Sequence, residues 1–171
     1  MATIRPATPE DRLHLIKMRH ALQAHDESSN PHIWKITEEG RRQREEEIDA
    51  MLNDPDATTL VAEVDSTPIA FIHATVSNRT HVTPRTVGFI NLIYVDPHHR
   101  RQGIATDLIR SACRTFTRRG AEEVNLNYIK GNSHAETLWK KLGLEPIRIT
   151  ASTPIEDLEK RLDEQSTDQH S

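Results

Sequence analysis

The sequence predicts an α/β domain built on a mixed sheet, and three observations carry that reading. Alternating apolar residues over 58–64 and 69–76 flank a polar turn, the pattern of a hairpin. A third apolar strand over 87–95 runs into a basic turn that contains a glycine, and an amphipathic helix follows that turn at once. Helices and strands then alternate to the end of the second half, which argues against an all-α or all-β chain. With 171 residues the protein suits about one domain with a single core.

Each element has its own signal. Residues 2–5 read as a first strand. Thr8 supplies an N-cap, Pro9 a proline at the first helical position, and Glu10 and Asp11 first-turn acids. Leu13, Leu15, Ile16 and Leu22 then line a first helix. The polar segment 25–37, with Ser28-Ser29-Asn30-Pro31 inside it, is expected to break that pattern. A charged helix resumes over 38–52 on Ile48, Met51 and Leu52, and Asp54-Pro55-Asp56 ends it.

After the hairpin, with its turn at Asp65-Ser66-Thr67-Pro68, residues 78–85 are expected to form a polar loop or a strand extension before the strand at 87–95. The helix expected over 104–119 carries Ala105, Leu108, Ile109, Ala112 and Phe116 on one face and is closed by Gly120. Then come a strand at 123–129, a late helix at 133–142 stopped by Gly143, and a final strand at 145–152. The reading is one domain over 1–152. A polar tail over 153–171 would form one or two turns around Leu158 and Leu162 and lie disordered from 164.

Composition narrows the function. Lys and Arg number 22 against 26 Asp and Glu, a net charge of −4, which disfavours nonspecific nucleic-acid binding through a broad positive field. No apolar run approaches the roughly 20 residues that span a bilayer, so no membrane partner is expected. The N-terminal residues lack the apolar stretch of a secretory signal, and Cys113 is a single cysteine, so a cytoplasmic protein is expected. Ten histidines form no chelating spacing, and no metal site is expected.

The turn Asp96-Pro97-His98-His99-Arg100-Arg101-Gln102-Gly103-Ile104-Ala105 is the strongest functional signal. Pro97 stops the strand, and Gly103 removes a side chain that would keep a ligand from the backbone. The first N–H groups of a helix have no partner within it and sit at the positive end of its dipole, so this turn suits an anion such as phosphate. It has neither the Lys-Ser/Thr of a P-loop nor the three glycines of a dinucleotide fingerprint.

With Arg100, Gly103 and Ala105 at the defining positions, the turn resembles the Q/R-x-x-G-x-G/A signature of the GNAT superfamily, the GCN5-related N-acetyltransferases. A second stretch, Asn132-Ser133-His134-Ala135-Glu136-Thr137-Leu138-Trp139-Lys140-Lys141-Leu142-Gly143-Leu144, resembles the late helix of that family. The resemblance covers about residues 2–152. It implies a mostly antiparallel, splayed central sheet flanked by helices, and acetyl-CoA as cosubstrate, held between the strands at 87–95 and 123–129. It implies main-chain bonds from Ile93 and Val95 to the pantetheine arm. The backbone of Arg101, Gln102, Gly103, Ile104, Ala105 and Thr106 would take the pyrophosphate, with added charge from Arg100 and Arg101. Asn132 and Trp139 would lie near the cofactor, and an N–H near Tyr94 would face the thioester oxygen. Relatives often pair by their edges, which implies a homodimer.

Where some relatives place a basic glutamate, this chain has Asn91 and Asn127, and where many have an acidic tyrosine it has Trp139. Neither an amide nor an indole transfers a proton near neutral pH. The expected mechanism is therefore direct attack by a primary amine, of a small molecule or a protein, with Asn91 and Asn127 holding a water that relays the proton. Tyr94, Tyr128 and His73 are secondary candidates, and His134 lies near Asn132. In the segment joining the first two helices, Asp26 and Glu27 could attract an ammonium and Trp34 could wall an acceptor pocket. The competing reading is a noncatalytic acyl-CoA-binding regulatory module. A weaker one is nucleic-acid binding through Arg100, Arg101, Arg118 and Arg119.

Overall fold

A computed structural model describes residues 2–168. The elements run β1 (Thr3–Pro6), α1 (Arg12–Ser29), α2 (Glu38–Asn53), β2 (Thr58–Val64), β3 (Thr67–Asn78), β4 (Thr86–Val95), α3 (Ile104–Arg118), β5 (Glu123–Leu126), α4 (Ser133–Lys141) and α5 (Ile155–Asp168). The five strands form one sheet in the order β1-β2-β3-β4-β5. The first three pairings are antiparallel and β4 with β5 is parallel. The chain divides into two compact units, Met1–Asn132 and Ser133–Ser171, and the sheet lies wholly in the first.

In that first unit α1 and α2 cover one face of the sheet. Leu15 and Met18 of α1 meet Ile48 and Met51 of α2 over Val61, Phe71 and Tyr94, and Leu15, Ile48, Val61 and Phe71 are fully buried. Two hydrogen bonds from Arg12 to Asp49, at 2.5 and 2.9 Å, tie the helices together. The start of α1 is fixed by the buried Asp11, which accepts from both ends of the Arg5 guanidinium and from the Thr8 amide. That guanidinium holds the Asp11 carboxyl below the usual carboxylate range.

Side chains alternate along a strand, so the opposite face carries Ile72, Ala74 and Ile90. Helix α3 covers it with Ile104, Leu108, Ile109, Ala112 and Phe116. Gly88 of β4 lies directly under the Phe116 ring, where a Cβ would come within 2.5 Å of ring carbons. The interior of this face depends on that missing side chain.

Three expectations change in the first unit. Helix α1 runs through Ser29 instead of stopping near His25. Its polar last turn is held by Ser28 and Ser29 hydroxyls donating to the His25 carbonyl and by Gln23 donating to Glu27. The returning hairpin strand begins at Thr67 because Asp65 and Ser66 alone make the turn, both with positive φ, and Pro68 falls opposite a bulge at Ala62/Glu63. β5 stops at Leu126, three residues short of the expected end.

In the second unit no strand forms over 145–152. Ile147 and Ile149 alternate as a strand would, but they stand 83% and 88% exposed with no ladder to join. The tail is longer and more regular than expected. Pro154 precedes the first turn, Glu156 and Asp157 favour its positive end, and α5 continues through Asp168. Residues 164–168, in the stretch expected to be disordered, belong to this helix, and 169–171 lie outside the described residues. No helix is long and apolar enough to cross a membrane among the described residues.

Candidate active site

The site begins with an irregularity in β4. Ala74 pairs with Ile90 and His73 with Leu92, so Asn91 is an extra residue with no partner in β3. Such a bulge turns two successive side chains toward one face and bends the strand. At the same level the parallel ladder ends. Its last pair is Ile90 with Leu126, so Asn91 and Asn127 are the first residues beyond the point where β4 and β5 part. Both are exposed, and Asn91 accepts a hydrogen bond from Thr75 at 3.0 Å.

Beyond the fork, β4 is paired on one side only. The Asp96 amide donates to the Ile69 carbonyl at 2.9 Å, and amides alternate in direction along a strand. Leu92 and Tyr94 therefore direct their main-chain groups to β3, while Ile93 and Val95 direct theirs into the opening. The Tyr94 N–H itself faces Phe71, so the N–H groups near it that face the opening are those of Ile93 and Val95. The Tyr94 phenol is buried in the core, and burial pushes its pKa up, so it is a poor proton donor and acceptor near neutral pH.

The turn after β4 is closed by its own hydrogen bonds. Asp96 accepts from the His98 amide, and the residues Pro97–His99 make a single 3-10 turn. Arg100 folds back and donates from Nε to the Val95 carbonyl at 3.1 Å, which commits part of a side chain that was expected to face phosphate. Arg101 and Gly103 both have positive φ, 61° and 82°, so the chain reverses sharply before α3. The Gly103 carbonyl accepts the Asp107 amide, leaving Ile104, Ala105 and Thr106 as first-turn donors without a helical acceptor. A Cβ on Gly103 would meet no protein atom within 4 Å, so its position is open to a ligand. Arg101 and Gln102 are exposed beside it.

The end of α1 meets the segment after β5. His25 Nε2 lies 3.3 Å from Asn132 Oδ1, Asn30 donates to the Lys130 carbonyl, and a Cβ on Gly131 would strike the Ser29 carbonyl. Asn132 is buried there. Asp26 is partly buried, and burial raises its pKa above the usual carboxylate range. Glu27 is committed to structure, since its Oε1 accepts from Gln23 and from the Ile36 amide. Trp34 is 77% exposed. In the second unit Trp139 is the buried residue of α4, and His134 lies exposed in its first turn.

A cavity of about 350 Å³ opens on the α1 and α2 face at the level of the bulge. It is lined by Arg19 from α1, Arg44, Glu47 and Met51 from α2, Asp54, and His73, Asn91 and Leu92 from the sheet. His73 is buried, with Nδ1 2.9 Å from the Thr59 hydroxyl, and burial holds its imidazole below the ordinary value. Arg44 donates to both oxygens of Glu47. The sequence reading named Asn91 and His73 but missed the rest of the lining. Arg19 had a legible signal: it stands four residues after Leu15 on the buried stripe of α1, where a charge is unexpected.

A sheet forked beside a helix N-terminus defines a class of fold, and comparison with known proteins identifies it. The sequence model of the Acetyltransferase (GNAT) family matches residues 19–144, and the chain belongs to that family. It is 38% identical over 84 residues to an aminoglycoside N(6′)-acetyltransferase of Acinetobacter haemolyticus, a match covering 47% of this chain and 54% of the relative. An uncharacterized N-acetyltransferase of Methanocaldococcus jannaschii is 34% identical over 85 residues, covering 50% of this chain and 38% of the relative. The matches thus span about half of those two proteins or less. Among solved structures, an aminoglycoside N-acetyltransferase in complex with CoA superposes with a TM-score of 0.67 at 19% identity, covering 91% of this chain and 95% of that one.

Proposed function

We propose that this protein is an N-acetyltransferase that moves an acetyl group from acetyl-CoA to a primary amine. One observation carries the reading: β4 and β5 part after Ile90 and Leu126, and the β4 edge left open there leads directly to the N-terminus of α3. The residues present fit the cosubstrate. Ile93 and Val95 face the opening as one side of a strand would, suited to the amides of a pantetheine arm. The amides of Ile104, Ala105 and Thr106 with the open surface at Gly103 suit a pyrophosphate. When bound, acetyl-CoA supplies the acetyl group as an activated thioester.

The chain's own residues then have three tasks. An alkylammonium with a pKa near 10.4 is neutral in only about one molecule in 10³ at pH 7, so a proton must be led away. Asn91 and Asn127 stand at the mouth of the fork and can hold a water for that relay without themselves accepting the proton. His73, facing the same cavity as Asn91, stays neutral at pH 7 and so keeps a free ring nitrogen for a proton. The largest contribution is positioning, roughly 7–11 kcal/mol for a well-oriented pair of reactants, which a fork that fixes one partner and a cavity that holds the other can supply.

Calorimetry with CoA and a screen of amines that reads free thiol test the reading together. Binding of CoA and acceptor-dependent thiol release are expected. Absence of CoA binding overturns the proposal, and CoA binding with no turnover of any amine favours the acyl-CoA-binding module instead. We also propose a homodimer, on the analogy with the family, and a cytoplasmic setting, on the single cysteine Cys113.

A further inference from the structure

We propose that the amine acceptor also carries a carboxylate, which Arg19 binds inside the 350 Å³ cavity, so that the substrate class is the small amino acids. This inference rests on the acetyltransferase reading and names its acceptor. Arg19 is only 5% exposed, it lines the cavity, and its Nε has no hydrogen-bond partner among the described residues. A buried guanidinium without a fixed partner costs stability, and its planar fork is shaped for a carboxylate.

The other charges around the cavity are already balanced or point to the amine. Arg44 is spent on Glu47, donating to both carboxylate oxygens. Glu47 and Asp26 favour the charged Arg19 only through their field, and burial with the nearby Arg44 works against it. Arg19 thus has no ion-pair or hydrogen-bond partner of its own among the described residues, and a monoanion matches its single charge where a phosphate dianion would bring a second negative charge beside Glu47 and Asp54. Asp54 lines the same cavity from its exposed rim and is close enough to raise the pKa of His73 through its charge. It offers the ammonium end a partner on the side of His73 and Asn91. The cavity is thus dipolar, and so is an amino acid. Its volume lies at the small end of the range for ligand pockets. A polycationic sugar would bring no anion to Arg19.

The test uses matched sets: each proteinogenic L-amino acid, its carboxamide and its decarboxylated amine, with aminoalkyl phosphates as a separate arm. Thiol release from acetyl-CoA is one readout, and the melting shift of CoA-loaded protein is the other. For the preferred acid, kcat/KM is expected to exceed that of its amide at least 100-fold in the unaltered protein. In Arg19→Met the ratio should fall to about threefold through KM, with CoA affinity unchanged and the urea midpoint equal or higher. Arg19→Lys should recover part of the preference. Equal use of acid and amide, a preference for aminoalkyl phosphates, or an unchanged ratio in Arg19→Met overturns the proposal. If no amine turns over, a melting shift with acids and not with amides still supports it, and a shift with neither overturns it. A melting shift is also recorded on protein free of CoA, so loss of CoA binding in the unaltered protein sinks the acetyltransferase reading alone, while a carboxylate shift on free protein still supports binding at Arg19 and its absence overturns it.

Discussion

The two halves of β4 differ more from each other than β4 does from its neighbours. Over Thr86 to Ile90 the strand is paired on both sides, and Gly88 lies closed beneath the Phe116 ring. From Asn91 to Val95 it is paired only with β3, and its outer edge faces a gap. The closed half is a packing device in which Val87, Gly88 and Ile90 are buried. On its outer edge the open half keeps its main-chain groups out of any strand ladder, although the Val95 carbonyl accepts from Arg100, and an edge free of a ladder is what a ligand that binds like a strand needs. One bulged residue, Asn91, marks the boundary.

If that division is right, changes in the closed half should harm folding, and changes in the open half should harm binding or turnover. Phe116→Ala should have the largest effect, a loss of about 3–5 kcal/mol in urea denaturation. A loss under 1 kcal/mol would mean that α3 does not seal this face. Gly88→Ala should cost about 1–3 kcal/mol, because the Cβ must displace the ring. Gly103→Ala should cost only about 1 kcal/mol of stability, from its positive φ, yet weaken CoA binding at least tenfold by calorimetry. Unchanged CoA affinity in that variant would remove the pyrophosphate from the turn. Asn91→Ala should stay within about 0.5 kcal/mol of the parent in stability while lowering kcat roughly 10- to 100-fold. Equal loss of stability and rate would reassign the residue to packing.

The smallest effect is a pH dependence. Burial holds the folded pKa of His73 below its unfolded value of about 6.5. The folded state therefore binds fewer protons, and its stability contribution is complete above the unfolded pKa and lost as pH falls below it toward the folded value. In His73→Gln, which can still bond Thr59, the fall in melting temperature on going from pH 7 to pH 5 should be shallower. An unchanged slope would show that His73 is not the group responsible.

The sequence was legible wherever a local rule sufficed. The range of β2 and the start of α3 follow from periodicity and turn chemistry, and the glycine turn that opens α3 was read as an anion site from Gly103 and its neighbours. The strand expected over 145–152 failed because alternation records a tendency, and a ladder needs a partner. The last turn of α1 was missed because serine back-bonding and the Gln23 to Glu27 contact offset its polar composition.

What the sequence determined by itself is the family, the succession of elements through α4 and the place of the glycine turn, since each is written in residues close together in the chain. The fork, the dipolar cavity and the exposure of Trp34 were decided only in three dimensions. Asn91 and Asn127 are 36 positions apart and mark the fork only because the register stops at Ile90 and Leu126. Arg19 and Asn91 share a cavity only because α1 folds over the bulge. Register and burial are sums over contacts between distant segments, and no local pattern encodes them.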